Sequence, residues 1–143
     1  MQKSMTQILQ ETIDHIKTNG RCMEDGLCCY WTDDTEGHEN MCAVGRWMKN
    51  PMEAQENTFP PIEDLTLYSD DGNLYEREGY DVIVDELEEQ LIPEVQGHPT
   101  YFWDLLQNFH DIGWKDKEMT FDGPNILDQL CNAMSIDRNK ITT

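Results

Sequence analysis

Apolar positions recur at spacings of three and four over residues 4 to 18, where Met5, Ile8, Leu9, Thr12, Ile13 and Ile16 share one side of a 3.6-residue period. The spacing predicts an amphipathic helix. Ser4 and Gln7 stand at the separation of a capping box. Asn19-Gly20 supplies the stop, because glycine takes the left-handed conformation without a side-chain penalty. From Leu27 to Met48 the pattern changes. Leu27 to Thr32 and Met41 to Met48 are rich in β-formers and flank the acidic, glycine-containing stretch 33–40, which predicts a hairpin with an exposed loop. A short helix starting at Cys42 is the competing assignment.

Residues 49 to 80 contain Pro51, Pro60, Pro61, Gly72 and Gly79 and hold no period, so they read as a long irregular connection with one short strand at Leu65 to Tyr68. Tyr75 and Tyr80 are its candidate anchors to the core. Three further helices follow. Asp81 to Ile92 places Ile83, Val84, Leu87 and Leu91 on one face and closes before Pro93. Pro99 to Gly113 repeats the signal with Phe102, Leu105, Leu106, Phe109 and Ile112. Asp122 caps a last helix through Ser135, with Pro124 in its first turn and Ile126, Leu127, Leu130, Cys131 and Met134 inward. The pattern predicts one α+β domain over residues 1–143, about four helices packed on a small β-hairpin with a long acidic irregular connection over 49–80.

Composition adds a constraint that periodicity does not carry. The 143 residues include 29 Asp plus Glu against 10 Lys plus Arg, a formal charge of -19. Non-specific binding to nucleic acid through a basic face is excluded by that balance. The hydrophobic share is 38%, low for a globular chain, but four Trp, five Tyr and four Phe supply a core. The first twenty residues lack the apolar stretch of a signal peptide, and no apolar run approaches the roughly 20 residues that a bilayer requires. A cytoplasmic protein with no membrane contact is expected, its five cysteines (22, 28, 29, 42 and 131) reduced.

The charge is unevenly placed. Between Glu53 and Glu89 there are thirteen acidic residues and one arginine, a net of -12 in about a quarter of the chain. Such a field self-repels and steers basic partners. Two explanations compete: solvation of a small protein, and a docking surface that competes with nucleic-acid phosphates for the Lys and Arg of a basic host protein. The candidate partner-binding residues are Asp70, Asp71, Glu76, Glu78, Asp85, Glu86, Glu88 and Glu89. Those on the helix count most, because mimicry needs carboxylates at fixed positions. Asp70-Asp71-Gly72-Asn73 does not reproduce the ligand spacing of an EF-hand loop, and turn chemistry accounts for it.

No cofactor is implied by any motif. Cys22, Cys28, Cys29 and Cys42 cluster around His38, but their gaps do not match the paired spacing of structural zinc sites. Cys28 and Cys29, adjacent on a strand, point to opposite faces. Cys28, Cys42 and His110 are therefore only the residual metal or thiol candidates, and Cys42 with His110 and Asp111 supplies the residue types of a nucleophile, base and orienting group without showing that they meet. Cys131 and the four tryptophans read first as core. The oligomeric state is left open.

Cys28-Cys29-Tyr30, Cys42-Ala43-Val44-Gly45 and the later Leu106-Gln107-Asn108-Phe109-His110-Asp111 with Trp114 resemble a group of small uncharacterised phage and prophage proteins. Those share a Cys-x-Tyr strand, a Cys-Ala-Val-Gly strand and a Leu-Gln-x-x-His-Asp helix. The two blocks cover about a quarter of the chain. The resemblance implies a shared scaffold in which Cys42 and His110 pack together, and a phage-type accessory role in the host bacterial cytoplasm. Trp47 departs from the aliphatic residue usual there, the hairpin loop is longer and more acidic, and the acidic middle segment has no counterpart.

Overall fold

The structure is a computed structural model that describes residues 2–20, 23–24, 27–28, 31–33, 39–41, 43–56, 83, 85–115 and 117–143. Helix α1 spans Met5–Asn19 and forms for the reasons its sequence gives. Gln7 N donates to Ser4 Oγ at 3.1 Å and Ser4 N donates to Gln7 Oε1 at 2.8 Å, so two of the orphan amides at the helix start are satisfied reciprocally. Ile8, Leu9, Thr12, Ile13 and Ile16 are the buried stripe. Gly20, at φ 80°, ends the helix by donating its N–H to Ile16 O at 2.7 Å.

Two short antiparallel hairpins follow. Strand β1 (Met23–Glu24) pairs with β2 (Leu27–Cys28), and β3 (Trp31–Asp33) pairs with β4 (Glu39–Met41) in the register Trp31↔Met41. The expected hairpin is present, but its second strand stops at Met41. Residues 43–44 form a turn and Gly45–Trp47 a 3-10 helix. Ala43, Val44, Gly45, Trp47 and Met48 are all buried, a run that a half-exposed strand could not bury and a tight turn can. Trp47 Nε1 donates to Thr12 Oγ1 at 3.1 Å, and that hydroxyl donates to Ile8 O at 2.8 Å, which fastens the turn to α1.

Residues 51–56, placed by periodicity in the irregular connection, form helix α2 (Pro51–Glu56). Asn50 Oδ1 accepts from Glu53 N at 3.0 Å while Asn50 Nδ2 donates to Glu53 Oε2 at 3.1 Å. The proposed strand at 65–68 and the anchors Tyr75 and Tyr80 lie outside the described residues. Helix α3 (Asp85–Gln90) is shorter than the expected 81–92. It is followed by the 3-10 turn Pro93–Val95, which Pro93 starts.

Helix α4 (Thr100–Gly113) is buried on most of its circumference and packs on α1 and on helix α5 (Gly123–Met134). A hairpin that periodicity did not anticipate joins α4 to α5: β5 (Trp114–Lys115) pairs with β6 (Glu118–Met119). The helix ends approach so closely that a Cβ on Gly123 would stand 2.5 Å from Gly113 O. Asp122 sits at the start of α5 but makes no side-chain cap bond. At the other end Ser135 takes the left-handed conformation, with Ile136 N donating to Cys131 O at 2.8 Å. The C-terminal residues return to α1, where Thr142 N donates to Gln10 Oε1 at 2.7 Å and Gln10 Nε2 donates to Thr142 O at 2.9 Å.

The result is an α+β fold, helices over small antiparallel hairpins, with Trp47, Trp103, Trp114 and Cys131 in the core as expected. Ile112 is a correction: placed inward by its spacing, it is 54% exposed, because the last turn of α4 presents that side to solvent. Among the described residues no helix is long and apolar enough to cross a membrane.

Candidate functional site

Helix α3 carries the described half of the acidic candidates. Leu87 and then Leu91, just past the helix end, are buried in the core at four-residue spacing. Asp85, Glu86 and Glu89 are consequently turned to solvent. Two backbone hydrogen bonds, which together make the antiparallel bridge between Met48 and Leu91, hold this helix against the 43–50 turn: Lys49 N donates to Gln90 O at 2.7 Å, and Ile92 N donates to Trp47 O at 3.0 Å. Asp70, Asp71, Glu76 and Glu78 lie outside the described residues.

Glu88 differs from its neighbours. Its Oε2 accepts the Gly97 N–H at 2.9 Å, and Gln96 Nε2 donates to both Glu88 O and Leu91 O at 3.0 Å. Glu88 therefore ties α3 to the following loop rather than offering its charge freely. Gly97 meets this bond at φ 91°, a conformation that L side chains rarely adopt. The N-terminal segment seals the same loop, with Gln2 Nε2 donating to Gln96 O, Lys3 N to Glu94 O at 2.7 Å and His98 Nε2 to Lys3 O at 2.7 Å.

Among the described residues Asp85, Glu86 and Glu89 make no ion pair, while Lys3–Glu11 and Arg138–Asp128 are paired at 2.8 and 2.9 Å. The first-turn acids Asp85 and Glu86 are favoured by the helix dipole. Glu89 is not. It sits in the last turn, where no basic residue stands, one turn from Asp85 and three residues from Glu86. Like charges at those spacings cost a few tenths of a kcal/mol each. This face thus concentrates carboxylates with no basic partner among the described residues on a helix that the core holds still.

A second cluster lies on α4. His110, 0% exposed, has Nδ1 2.8 Å from Asp111 Oδ1, and Gln107 Nε2 donates to that same oxygen at 2.7 Å. The residue types alone did not show that His110 and Asp111 meet; they do, with Gln107 one turn earlier donating to the same Asp111 oxygen. A carboxylate oxygen accepts, so Nδ1 donates to it, and this hydrogen bond fixes the orientation of the ring. Cys28 and Cys42 lie where side chains are not described, and among the described residues no three His, Cys, Asp or Glu side chains gather as metal ligands. Trp103, seven residues before His110, is fully buried, and its Nε1 makes no hydrogen bond among the described residues.

Cys131 is 1% exposed, and burial pushes its thiol above the ordinary range, an effect that Arg138 partly opposes. Such a thiol is inert, as its place in the apolar stripe implied.

Fold and surface together define a small α+β protein that presents carboxylates from a core-anchored helix. Comparison of the chain with family models, with curated proteins and with solved structures returns no match.

Proposed function

We propose that this chain is a phage-type accessory protein that binds and inhibits a basic protein in the cytoplasm of an infected bacterium, its acidic surface standing in for nucleic-acid phosphates. One observation carries the reading: Asp85, Glu86 and Glu89 are exposed, with no ion pair among the described residues, on a helix whose opposite face, Leu87 and Leu91, is locked into the core. Rigidity separates this from charge that merely solvates. A mobile carboxylate loses side-chain and backbone freedom on docking, whereas one on an anchored helix has already lost the backbone share. Glu88 serves by fixing the helix, and Asp70, Asp71, Glu76 and Glu78 extend the acidic stretch upstream.

The test is affinity capture from bacterial lysate at low salt followed by a salt step, in parallel with a variant carrying Asp85→Lys, Glu86→Lys and Glu89→Lys. A basic protein that the native chain holds, that salt releases and that the variant fails to hold supports the proposal. Retention of every captured protein in high salt, or by the variant, sinks it.

The oriented His110–Asp111 pair favours a second reading, a thiol- or metal-dependent site using Cys42 and His110. It makes a separate forecast. Cys42→Ser would remove metal content or activity and leave salt-sensitive capture intact, whereas a loss of stability alone returns both residues to the core.

A further inference from the structure

Two large apolar side chains are exposed at one end of the molecule. Phe121 is 99% exposed in the turn that enters α5, and Ile112 is 54% exposed on the last turn of α4. The chain holds them close together: Thr120 Oγ1 donates to Ile112 O at 2.9 Å, and Thr120 N donates to Gly113 O at 2.9 Å, which sets residue 121 beside the end of α4. The tight Gly113–Gly123 approach fixes that arrangement, so Phe121 is displayed from a rigid corner rather than from a loose loop. A lone exposed apolar residue needs no explanation; two on one fixed corner do.

The charges around this corner alternate in sign. Lys115, Lys117, Glu118 and Asp122 are all exposed, and among the described residues none of them makes an ion pair. Residues 112–122 contain two lysines against three acidic residues, nearly balanced, while residues 53–89 carry -12 of the formal -19. A second copy therefore meets little net charge at this corner. Under a two-fold axis, residue i of one copy meets j of the other and the reverse. The two lysines, 115 and 117, and the two exposed acids, 118 and 122, make the corner self-complementary in charge around Phe121 and Ile112.

We infer that the β5–β6 corner is a self-association surface, closed by a second copy of this chain. A fully exposed phenylalanine offers about 200 Å² of mostly apolar area, a quarter of the roughly 800 Å² that each partner buries in a stable interface. Phe121 is the anchor and the charged residues are the rim. A dimer built this way leaves α3 outside the interface and presents two acidic helices to one partner, which raises avidity without new contacts.

Sedimentation equilibrium across a wide concentration range tests the inference. The native chain is expected to dimerise. Phe121→Ser should weaken the dimer by about ten-fold or more, the effect of losing a central anchor, with an unchanged unfolding midpoint because the side chain touches nothing within its own copy. Lys117→Glu should weaken association, since it replaces one of the two exposed lysines by a third acid. A monomer at every concentration, a dimer indifferent to Phe121→Ser, or a monomer that uses Phe121 only to hold a different protein would each overturn the inference.

Discussion

Thr12 is a small residue with a large assigned role, and Thr12→Val isolates it. Valine keeps the shape and removes only the hydroxyl, which is 1% exposed at residue level and accepts the Trp47 indole N–H at 3.1 Å. Ile8 O, which receives the hydroxyl proton, keeps its intrahelical partner, so little is lost on that side. The loss falls on Trp47, itself 2% exposed, whose Nε1 would become a buried donor without an acceptor. Leaving such a group unsatisfied costs about 1–3 kcal/mol. With a urea slope of roughly 1–3 kcal/mol/M for a domain of this size, the midpoint should fall by about 0.5–1.5 M at unchanged slope. The double variant with Trp47→Phe tests the cause: the two substitutions should couple by more than about 0.5 kcal/mol, because removing both partners leaves nothing unsatisfied. Function is touched as well. Trp47 O receives Ile92 N and Met48 bridges Leu91, so loosening the turn should speed amide exchange at 91 and 92, the C-terminal anchor of α3. A Thr12→Val variant within a few tenths of a kcal/mol of the native chain would refute the bond as an anchor.

Three further outcomes can be read from stability and chemistry. Ser135 holds a left-handed conformation at φ 56°, which costs a non-glycine residue about 1–2 kcal/mol; Ser135→Gly should raise the thermal midpoint, the gain trimmed by glycine's extra freedom when unfolded. Gly123→Ala would set a Cβ 2.5 Å from Gly113 O, and backbone there cannot swing aside as a side chain would, so a loss of about 1–3 kcal/mol is expected by denaturation. Burial raises the Cys131 thiol above its unfolded value, so its contribution to stability is complete below the ordinary thiol range and is lost as pH rises through the folded value; Cys131→Ala should flatten that alkaline decline, and thiol reagents should label Cys131 only upon unfolding.

Helix periodicity was legible because the packed faces are long. Five residues of α1 at spacings of three and four, and the 102, 106 and 109 stripe of α4, leave no other element to choose. Short elements were not. Asn50-Pro51-Met52-Glu53 contains a start signal, an N-cap asparagine, proline at the first position and glutamate at the third, yet six residues give too few periods for α2 to stand out from its acidic surroundings. The β5–β6 hairpin is two residues a side and owes its place to the Gly113–Gly123 approach, a tertiary constraint with no local pattern. At the candidate site, spacing placed Leu87 and Leu91 on one apolar face, which is the face buried in the core. It could not reveal that Glu88 bonds Gly97, or that Gln107 draws Asp111 onto His110, since both depend on side-chain rotamers rather than on position along the helix.

The placement of Glu89 separates a face kept for binding from one kept for solubility. It lies in the last turn of α3, where the dipole disfavours an anion, and one turn from Asp85, which repels it. Glu89→Lys reverses both: a cation at the helix end is favoured by about 0.3–1 kcal/mol, and an acid followed by a base four residues on adds about 0.2–0.5 kcal/mol. The substitution should therefore stabilise the chain by several tenths of a kcal/mol in urea at low salt, with the gain shrinking as salt is added. A lysine solvates the surface as well as a glutamate, so solubility alone gives no reason to retain the less stable residue. Partner docking does, and the same variant should release the captured partner at lower salt than the native chain. If Glu89→Lys instead destabilises the fold, this carboxylate is held by contacts within the chain, and the claim that α3 gives up stability in order to bind fails.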